Sequence, residues 1–271
     1  EVKRKLIGAI IQARMGSSRL PGKIMLPVLD KPILEHLINR VKKSSNIDEI
    51  IVATSINKND DVIEKFCKSH QIKCFRGSEK DVLLRYFEAA KKFSIDIIVR
   101  LTSDTPLLDP KIIDKVIVKY NESKYDYVSN FFPLPRTYPD GYNVEIFSIE
   151  LLEQTNIEAK KPSDREHVTT FITMQPKKFK KYRVDSEKDL SKYRLNLDYK
   201  EDFELIKSVL EKFDEKANLD DIINWLDKHP EILKLNSHIK PYENLLKSFE
   251  QDKKLGYEPY EKNFYIESTN E

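Results

Sequence analysis

The stretch that most constrains this chain is residues 12–23, Gln-Ala-Arg-Met-Gly-Ser-Ser-Arg-Leu-Pro-Gly-Lys. It follows Leu6 to Ile11, a continuous apolar run that reads as a buried first strand. A chain that leaves a strand straight into small and basic residues makes a loop at the strand's carboxyl end, where open α/β sheets take their ligands. Gly16 and Gly22 permit positive φ and a close approach of main chain to ligand. Ser17 and Ser18 add hydroxyls, and Arg14, Arg19 and Lys23 add three positive charges. Inward-turned backbone N–H groups, hydroxyls and fixed cations together make a cradle for a polyphosphate. The plainer alternative is a solvated basic loop. The loop is not a Walker motif, since no Gly-Lys-Ser/Thr follows a Gly and four free residues, and the Gly-x-Gly-x-x-Gly dinucleotide pattern is absent.

Beyond the loop, apolar strand-like runs alternate with helical patterns. Asp30 is placed to cap a helix with Pro32 in its first turn and Ile33, Leu34, Leu37, Ile38 and Val41 at helical spacing. Residues 49–54 read as a second strand, followed by a helix capped by Asn59. Residues 72–75 read as a third strand, residues 82–90 as a helix, residues 96–102 as a fourth strand, and a further helix begins at Pro110. This rhythm predicts an α/β fold with a doubly wound, mostly parallel sheet and right-handed crossovers. Past Asp126 it breaks, with prolines at 133, 135 and 139, strand patterns near 126–130, 143–147 and 178–184, a helix over 148–158, and a helix capped by Ser163. The segment 126–185 is therefore expected to be an inserted lobe over the sheet's carboxyl edge. Residues 194–198 read as a strand again, before a helix with Phe203, Leu205, Ile206, Val209 and Leu210. The expected division is a domain over 1–213 and a helical extension over 214–271, with helices near 219–228 and 240–253 and a poorly ordered polar tail from Gly256.

Composition narrows the function classes. The 271 residues carry 47 Lys and Arg against 45 Asp and Glu, a net charge of +2, which gives no whole-protein field for nucleic acid or an anionic membrane. No apolar run approaches the roughly 18 residues that span a bilayer. The start, Glu-Val-Lys-Arg-Lys, leads directly into a strand, so no signal peptide is expected. Cys67 and Cys74 are expected to be buried thiols rather than a disulfide or metal pair, which fits a cytoplasmic protein.

Two aspartates carry the strongest chemical signal after the loop. Asp104 follows the fourth strand and Asp198 follows Leu195-Asn196-Leu197. Carboxylates at two strand ends of one sheet can converge on a divalent cation such as Mg²⁺, which takes one or two carboxylates and fills its other positions with water and phosphate oxygens. Each alone reads equally well as a helix N-cap. Arg76-Gly77-Ser78 ends the third strand and suits either a ribose or base contact or a tight turn. Arg100, within a strand, requires an anionic partner. Arg136 and Arg165 suit bidentate binding of a carboxylate or phosphate. His167 by default is a packing or hydrogen-bonding histidine.

The loop resembles the signature of the cytidylyltransferases that activate acidic sugars, the acylneuraminate and 3-deoxy-manno-octulosonate type. Their pattern, [Pro/Gln]-Ala-Arg-x-x-Ser-x-Arg-Leu-Pro-Gly-Lys, is matched at every fixed position. The likeness is greatest to the spore-coat polysaccharide biosynthesis branch, whose His-Pro-Glu-Ile segment is matched at residues 229–232, and it covers residues 6 to 213. Ser103-Asp104-Thr105-Pro106-Leu107-Leu108 is similar to the family's Gly-Asp-x-Pro-Leu-Ile, with Ser103 in place of Gly. Asp198-Tyr199-Lys200-Glu201-Asp202-Phe203 is similar to its Asp-Thr-Pro-Glu-Asp-Leu, with Tyr199-Lys200 in place of Thr-Pro. Asp140-Gly141-Tyr142-Asn143-Val144-Glu145 is similar to its Asp-Gly-x-Asp-Val-Glu, with Asn143 the departure.

The resemblance implies a Rossmann-like, GT-A-like nucleotidyltransferase that moves CMP from CTP to an acidic sugar or sugar phosphate in surface polysaccharide biosynthesis, acting as a homodimer with Mg²⁺. It implies catalytic roles for Arg14, Lys23 and Asp104, and metal binding by Asp104 and Asp198. Nucleotide contacts fall to Gln12, Ala13, Arg14, Gly16, Ser17, Ser18, Arg19, Lys23, Arg76, Gly77, Ser78 and Ser103. Acceptor contacts fall to Arg100, Arg136, Asp140, Asn143, Glu145, Arg165 and His167. Two other readings use the same sheet. A nucleotide-sugar-dependent glycosyltransferase would place an Asp-x-Asp pair after a strand, and Asp104-Thr105-Pro106 lacks the second aspartate. A non-catalytic nucleotide-binding protein would not need Arg14, Lys23, Asp104 and Asp198 together.

Overall fold

A computed structural model gives the structure of residues 4–260; of the expected polar tail, residues 261–271 lie outside the described residues. The chain runs β1 (Ile7–Gln12), β2 (Pro27–Val28), β3 (Lys31–Pro32), α1 (Ile33–Val41), β4 (Glu49–Ser55), α2 (Asp61–Ser69), β5 (Lys73–Gly77), α3 (Val82–Lys92), β6 (Ile97–Thr102) and α4 (Pro110–Tyr120). It continues through β7 (Tyr127–Ser129), β8 (Glu145–Ser148), α5 (Ile149–Glu158), α6 (Pro162–His167), α7 (Thr170–Thr173) and β9 (Lys181–Arg183). The helices α8 (Lys200–Phe213), α9 (Leu219–Asp227), α10 (Pro230–Leu233) and α11 (Glu243–Lys254) follow.

Seven strands form one sheet in the order β5-β4-β1-β6-β8-β7-β9. The first four are mutually parallel, and β8 runs antiparallel to both β6 and β7. Strand residues alternate between two cores because successive side chains point to opposite faces. Ile7, Ala9 and Ile11 of β1 join Ile97, Val99 and Leu101 of β6 on one face, under α1, α2, α4, α8 and α9. Ile10, Ile51, Ala53 and Ile98 face the other way, under α3 and α5. Cover on both faces explains why these strands read as unbroken apolar runs. Cys67 is buried, Cys74 is partly so, and both are free thiols.

The inserted segment 126–185 supplies β7, β8 and β9 to the main sheet, and β8 pairs directly with β6, from Ile97 opposite Ser148 to Arg100 opposite Glu145. What reaches over the carboxyl edge is its proline-rich loop and α6. The extension past 213 is likewise continuous with the body, since Ala217, Leu219, Ile222, Ile223 and Leu226 enter the same core as β1. Residues 194–198 are not a ladder strand. They form an extended segment with one bridge, Asp140 to Arg194, and Leu197 N donates to Asp104 O at 2.8 Å.

Local capping differs from the sequence reading in three places. Leu29 and Asp30 take φ 50° and 62° and form the two-residue turn between β2 and β3, so Asp30 caps no helix. Asn57, not Asn59, supplies the cap before α2 by accepting from Asn59 N. Ser163 lies inside α6, whose N-cap is Lys161. Among the described residues no helix is long and apolar enough to cross a membrane.

Candidate active site

The carboxyl ends of β1 and β6 open into a cleft of about 850 Å³, within the usual range for a small-molecule site. Along one wall runs the loop that follows β1, and Gln12, Ala13, Arg14, Gly16, Ser17, Ser18, Arg19 and Lys23 all line it. Its shape is held from below. Asp60, buried beside Ser55, accepts from Met15 N at 2.7 Å. Gly22 N donates to Met15 O, and Leu20 N donates to Ser17 Oγ. Gly22 takes φ +68°, the left-handed conformation expected of it, whereas Gly16 stays at negative φ.

Lys23 sits where three segments meet. Its Nζ lies 2.7 Å from Leu197 O, 2.9 Å from Asp198 Oδ1 and 3.6 Å from Asp104 Oδ2. Asp104, at the end of β6, and Asp198, after the extended 194–198 segment, therefore converge, and one ammonium bridges them. Neither is a helix cap. Asp202 Oδ2 accepts from both Asp198 N and Tyr199 N and so closes the first turn of α8, while Asp109 caps α4. Asp198 is crowded by cations: Arg19 approaches Oδ1 and Arg194 approaches Oδ2, each at 3.4 Å. Burial pushes its carboxyl up, but Lys23, Arg19 and Arg194 outweigh that and hold it below the ordinary value. Asn196 Oδ1 beside it is buried with no hydrogen-bond partner among the described residues. Two converging carboxylates with an unsatisfied amide oxygen nearby are the oxygen donors that suit a hard divalent cation. A second group of ligand-type atoms, on His36, Asp214 and Glu215, lies away from the cleft, and Lys31 already pairs with both of its carboxylates.

The other end of the cleft is built by the proline-rich loop and α6. Arg136 is buried; Nη1 donates to Asp140 and Asn143 at 3.0 Å each, and Nε to Tyr242 Oη at 2.8 Å. Asp140 also meets Arg194 at 3.5 Å, which joins this end to Asp198. Arg100, Ser103 and His167 line the same space. Arg100 finds its anion in Glu145 at 2.5 Å and also donates to Gln12 at 2.9 Å. Glu145 is 2% exposed and accepts from Tyr127 and Thr169 as well, so it fixes Arg100 from behind rather than facing the cleft. Glu145→Gln should leave Arg100 a buried charge without its counter-ion and cost about 3–5 kcal/mol in urea unfolding. A loss below about 1 kcal/mol would mean that Arg100 is solvated through the cleft.

Besides Glu145, four expected contacts fall outside the cleft. Arg76 is held by the carbonyls of Ser55 and Asn57 and by Asp61 and Glu64 on α2. Gly77 lies within β5, and Ser78 Oγ accepts from Asp81 N at the start of α3. Arg165 turns away to Asp81 and Asn156, tying α6 to α3 and α5. Arg76, Ser78 and Arg165 are drawn into local caps or ion pairs, which spacing along the sequence does not reveal. The cleft also includes residues that were not anticipated: Glu79, Arg85, Arg194, Asn196 and the polar face of α11. Asn196 lies in a run that reads only as a strand, and α11 begins at Glu243, 30 residues past 213, where the sequence resemblance ends.

The comparisons agree with this geometry. A family model described as cytidylyltransferase matches residues 8–267. The spore coat polysaccharide biosynthesis protein SpsF of Bacillus subtilis is 33% identical over 82% of this chain and 94% of its own length. A 3-deoxy-manno-octulosonate cytidylyltransferase of Geobacter metallireducens is 32% identical over 41% of this chain and 43% of its own length. Among solved structures, a cytidylyltransferase from Leptospira borgpetersenii superposes with a TM-score of 0.81 at 38% identity, covering 89% of this chain and all of that one. A loop of glycines, hydroxyls and cations at the end of β1, two carboxylates at its mouth and a match that spans nearly the whole chain lead to one assignment: the chain belongs to the cytidylyltransferase family, enzymes that use CTP as nucleotidyl donor.

Proposed function

We propose that the protein transfers CMP from CTP to an acidic sugar or sugar phosphate, releasing pyrophosphate, as a step in surface polysaccharide or glycoconjugate synthesis. The observation that carries the reading is that Lys23, Asp104 and Asp198 meet at the mouth of the phosphate loop, in one cleft with Arg136 and His167. In the reaction the acceptor hydroxyl oxygen bonds to the α-phosphorus, the bond from that phosphorus to the β-phosphate oxygen breaks, pyrophosphate leaves, and the hydroxyl proton passes to solvent. Arg14 and Lys23 bind phosphate oxygens, and the loop's N–H groups and serine hydroxyls fix the chain of phosphates in line. Asp104 and Asp198 would hold Mg²⁺, which neutralises charge as pyrophosphate forms. Arg136, set by Asp140 and Asn143, orients an anionic group of the acceptor, and Arg100 and His167 complete that end. Positioning and charge neutralisation account for most of the catalysis in such transfers. The acidic-sugar class rests on the names of the relatives and on the cationic acceptor end.

The test is incubation with each of four NTPs, Mg²⁺ and a panel of acidic sugars and sugar phosphates, with pyrophosphate release as readout. Release with CTP that depends on one of the acids is expected. Binding of CTP with no turnover on any acceptor would sink the transferase reading.

A further inference from the structure

The helix α11 docks unlike the other long helices, α1 to α5, α8 and α9, each of which buries apolar side chains. Its only buried residues are polar, Ser248 and Asp252, while Leu246 is 48% exposed. A helix attached for stability would turn an apolar stripe inward. This one is held by hydrogen bonds to the cleft and its rim. Asn244 accepts from Arg19 at 2.8 Å and Glu243 from Tyr199 at 3.3 Å. Just before the helix, Tyr242 Oη accepts from Arg136 Nε at 2.8 Å, with the guanidinium 5.0 Å from the ring centre. Ser248 Oγ lies 2.8 Å from His167 Nε2, and Asp252 binds Ser163 on α6. Arg19, Arg136 and His167 are all cleft residues.

Two of these contacts dictate what the acceptor end presents. Arg136 has its plane set on one side by Asp140 and Asn143 and on the other by Tyr242. Ser248 has one proton, and it faces the acceptors Asn244 O at 3.0 Å and Glu166 Oε2 at 3.2 Å. The His167 contact therefore runs from Nε2–H to Ser248 Oγ, which leaves Nδ1 as an acceptor. Burial lowers the His167 pKa and keeps the ring neutral, consistent with that tautomer.

We infer that α11 is a wall of the acceptor site, and that Tyr242 and Ser248 are positioning residues that set Arg136 and His167 for an acceptor bearing both an anionic group and a hydroxyl donor. The inference rests on the transferase reading for its reaction, but not for its binding site. The acid of the panel that binds most tightly is titrated by calorimetry, in the presence of Mg²⁺, into wild type, Tyr242→Phe, Ser248→Ala and Leu246→Ala. CTP with Mg²⁺ is titrated separately. Tyr242→Phe keeps the ring and loses the bond to Arg136, and should weaken acid binding roughly tenfold while CTP affinity stays within about twofold. Ser248→Ala should weaken acid binding less and shift its pH dependence, because the His167 tautomer is no longer fixed. Leu246→Ala, on the solvent side of the same helix, should change neither.

Failure of every acid to bind wild type overturns the inference. So does an equal loss for acid and CTP in Tyr242→Phe, or a loss in Leu246→Ala as large as in Tyr242→Phe. Selective loss of acid binding without pyrophosphate release from any acceptor leaves the wall in place and overturns the transferase reading instead.

Discussion

Replacing Asp198 by asparagine should lower Mg²⁺-dependent pyrophosphate release by roughly a hundredfold or more, and Asp104→Asn should do the same. Asparagine preserves size, so the fold should survive. A neutral amide is a poor ligand for a hard cation and offsets none of its charge. Helix capping offers no competing explanation, because the first turn of α8 is closed by Asp202 and that of α4 by Asp109. The double variant should be little worse than either single one, since both carboxylates act through one ion. Asp198→Asn should also change the acid limb of stability. The folded carboxyl titrates below its unfolded value, so its contribution is present above the unfolded pKa and is lost as pH falls through the folded one. That slope should flatten in the variant. Pyrophosphate release at saturating CTP decides the main point: a variant that keeps most of the wild-type rate at ordinary Mg²⁺ contains no ligand at that position.

Gly141→Ala should be the most damaging single methyl in the molecule. Gly141 takes φ +98°, and a Cβ there would lie 2.4 Å from Leu195 C and 2.5 Å from Asn196 N. Both neighbours are backbone, so no side chain can rotate away. The left-handed conformation adds its own penalty for an L-residue, and together these should cost about 3 kcal/mol or more. The damage should also reach the chemistry. The contact is where the 140 and 195 segments pair, through Asp140 N to Tyr193 O and Leu195 N to Asp140 O. Forcing it apart moves Asn196, Asp198 and Arg194 off the cleft. Urea unfolding should show the loss, and turnover of the remaining folded protein should fall as well. A variant within about 1 kcal/mol of wild type would mean that the two segments separate easily and do not fix Asp198.

The parallel half of the sheet was legible because its strands are buried on both faces and bounded by helical patterns of ordinary length. The loop after β1 was legible as a cleft wall for a different reason: glycines, hydroxyls and cations gathered at the carboxyl end of a buried strand lie where open sheets leave space for a ligand. Past Asp126 the short strands were legible near 126–130, 143–147 and 178–184, but runs of three or four residues carry no sign of how they pair, so their joining to the main sheet through β8 was not. The approach of Asp104 to Asp198 was legible from the end of β6 alone, since residues 194–198 read as a strand but form an extended segment with one bridge. Arg76 and Arg165 misled because an arginine near a cleft and an arginine bound to carboxylates look alike in sequence. The contribution of α11 was hidden because polar docking leaves no apolar stripe to read.

The bridge made by Lys23 has one more consequence. Two carboxylates that face each other without a cation would repel, and the loop would have to be forced into place. Here the protein carries its own cation on a tether, with Arg19 and Arg194 close by, so the two carboxylates can approach before any substrate arrives. If Asp104 and Asp198 hold Mg²⁺ as proposed, a bare divalent ion would have to compete with that ammonium. A metal–nucleotide complex would bring, in the same event, phosphate oxygens for the ammonium to hold. On that reading the free site would favour the metal–nucleotide complex over the metal alone.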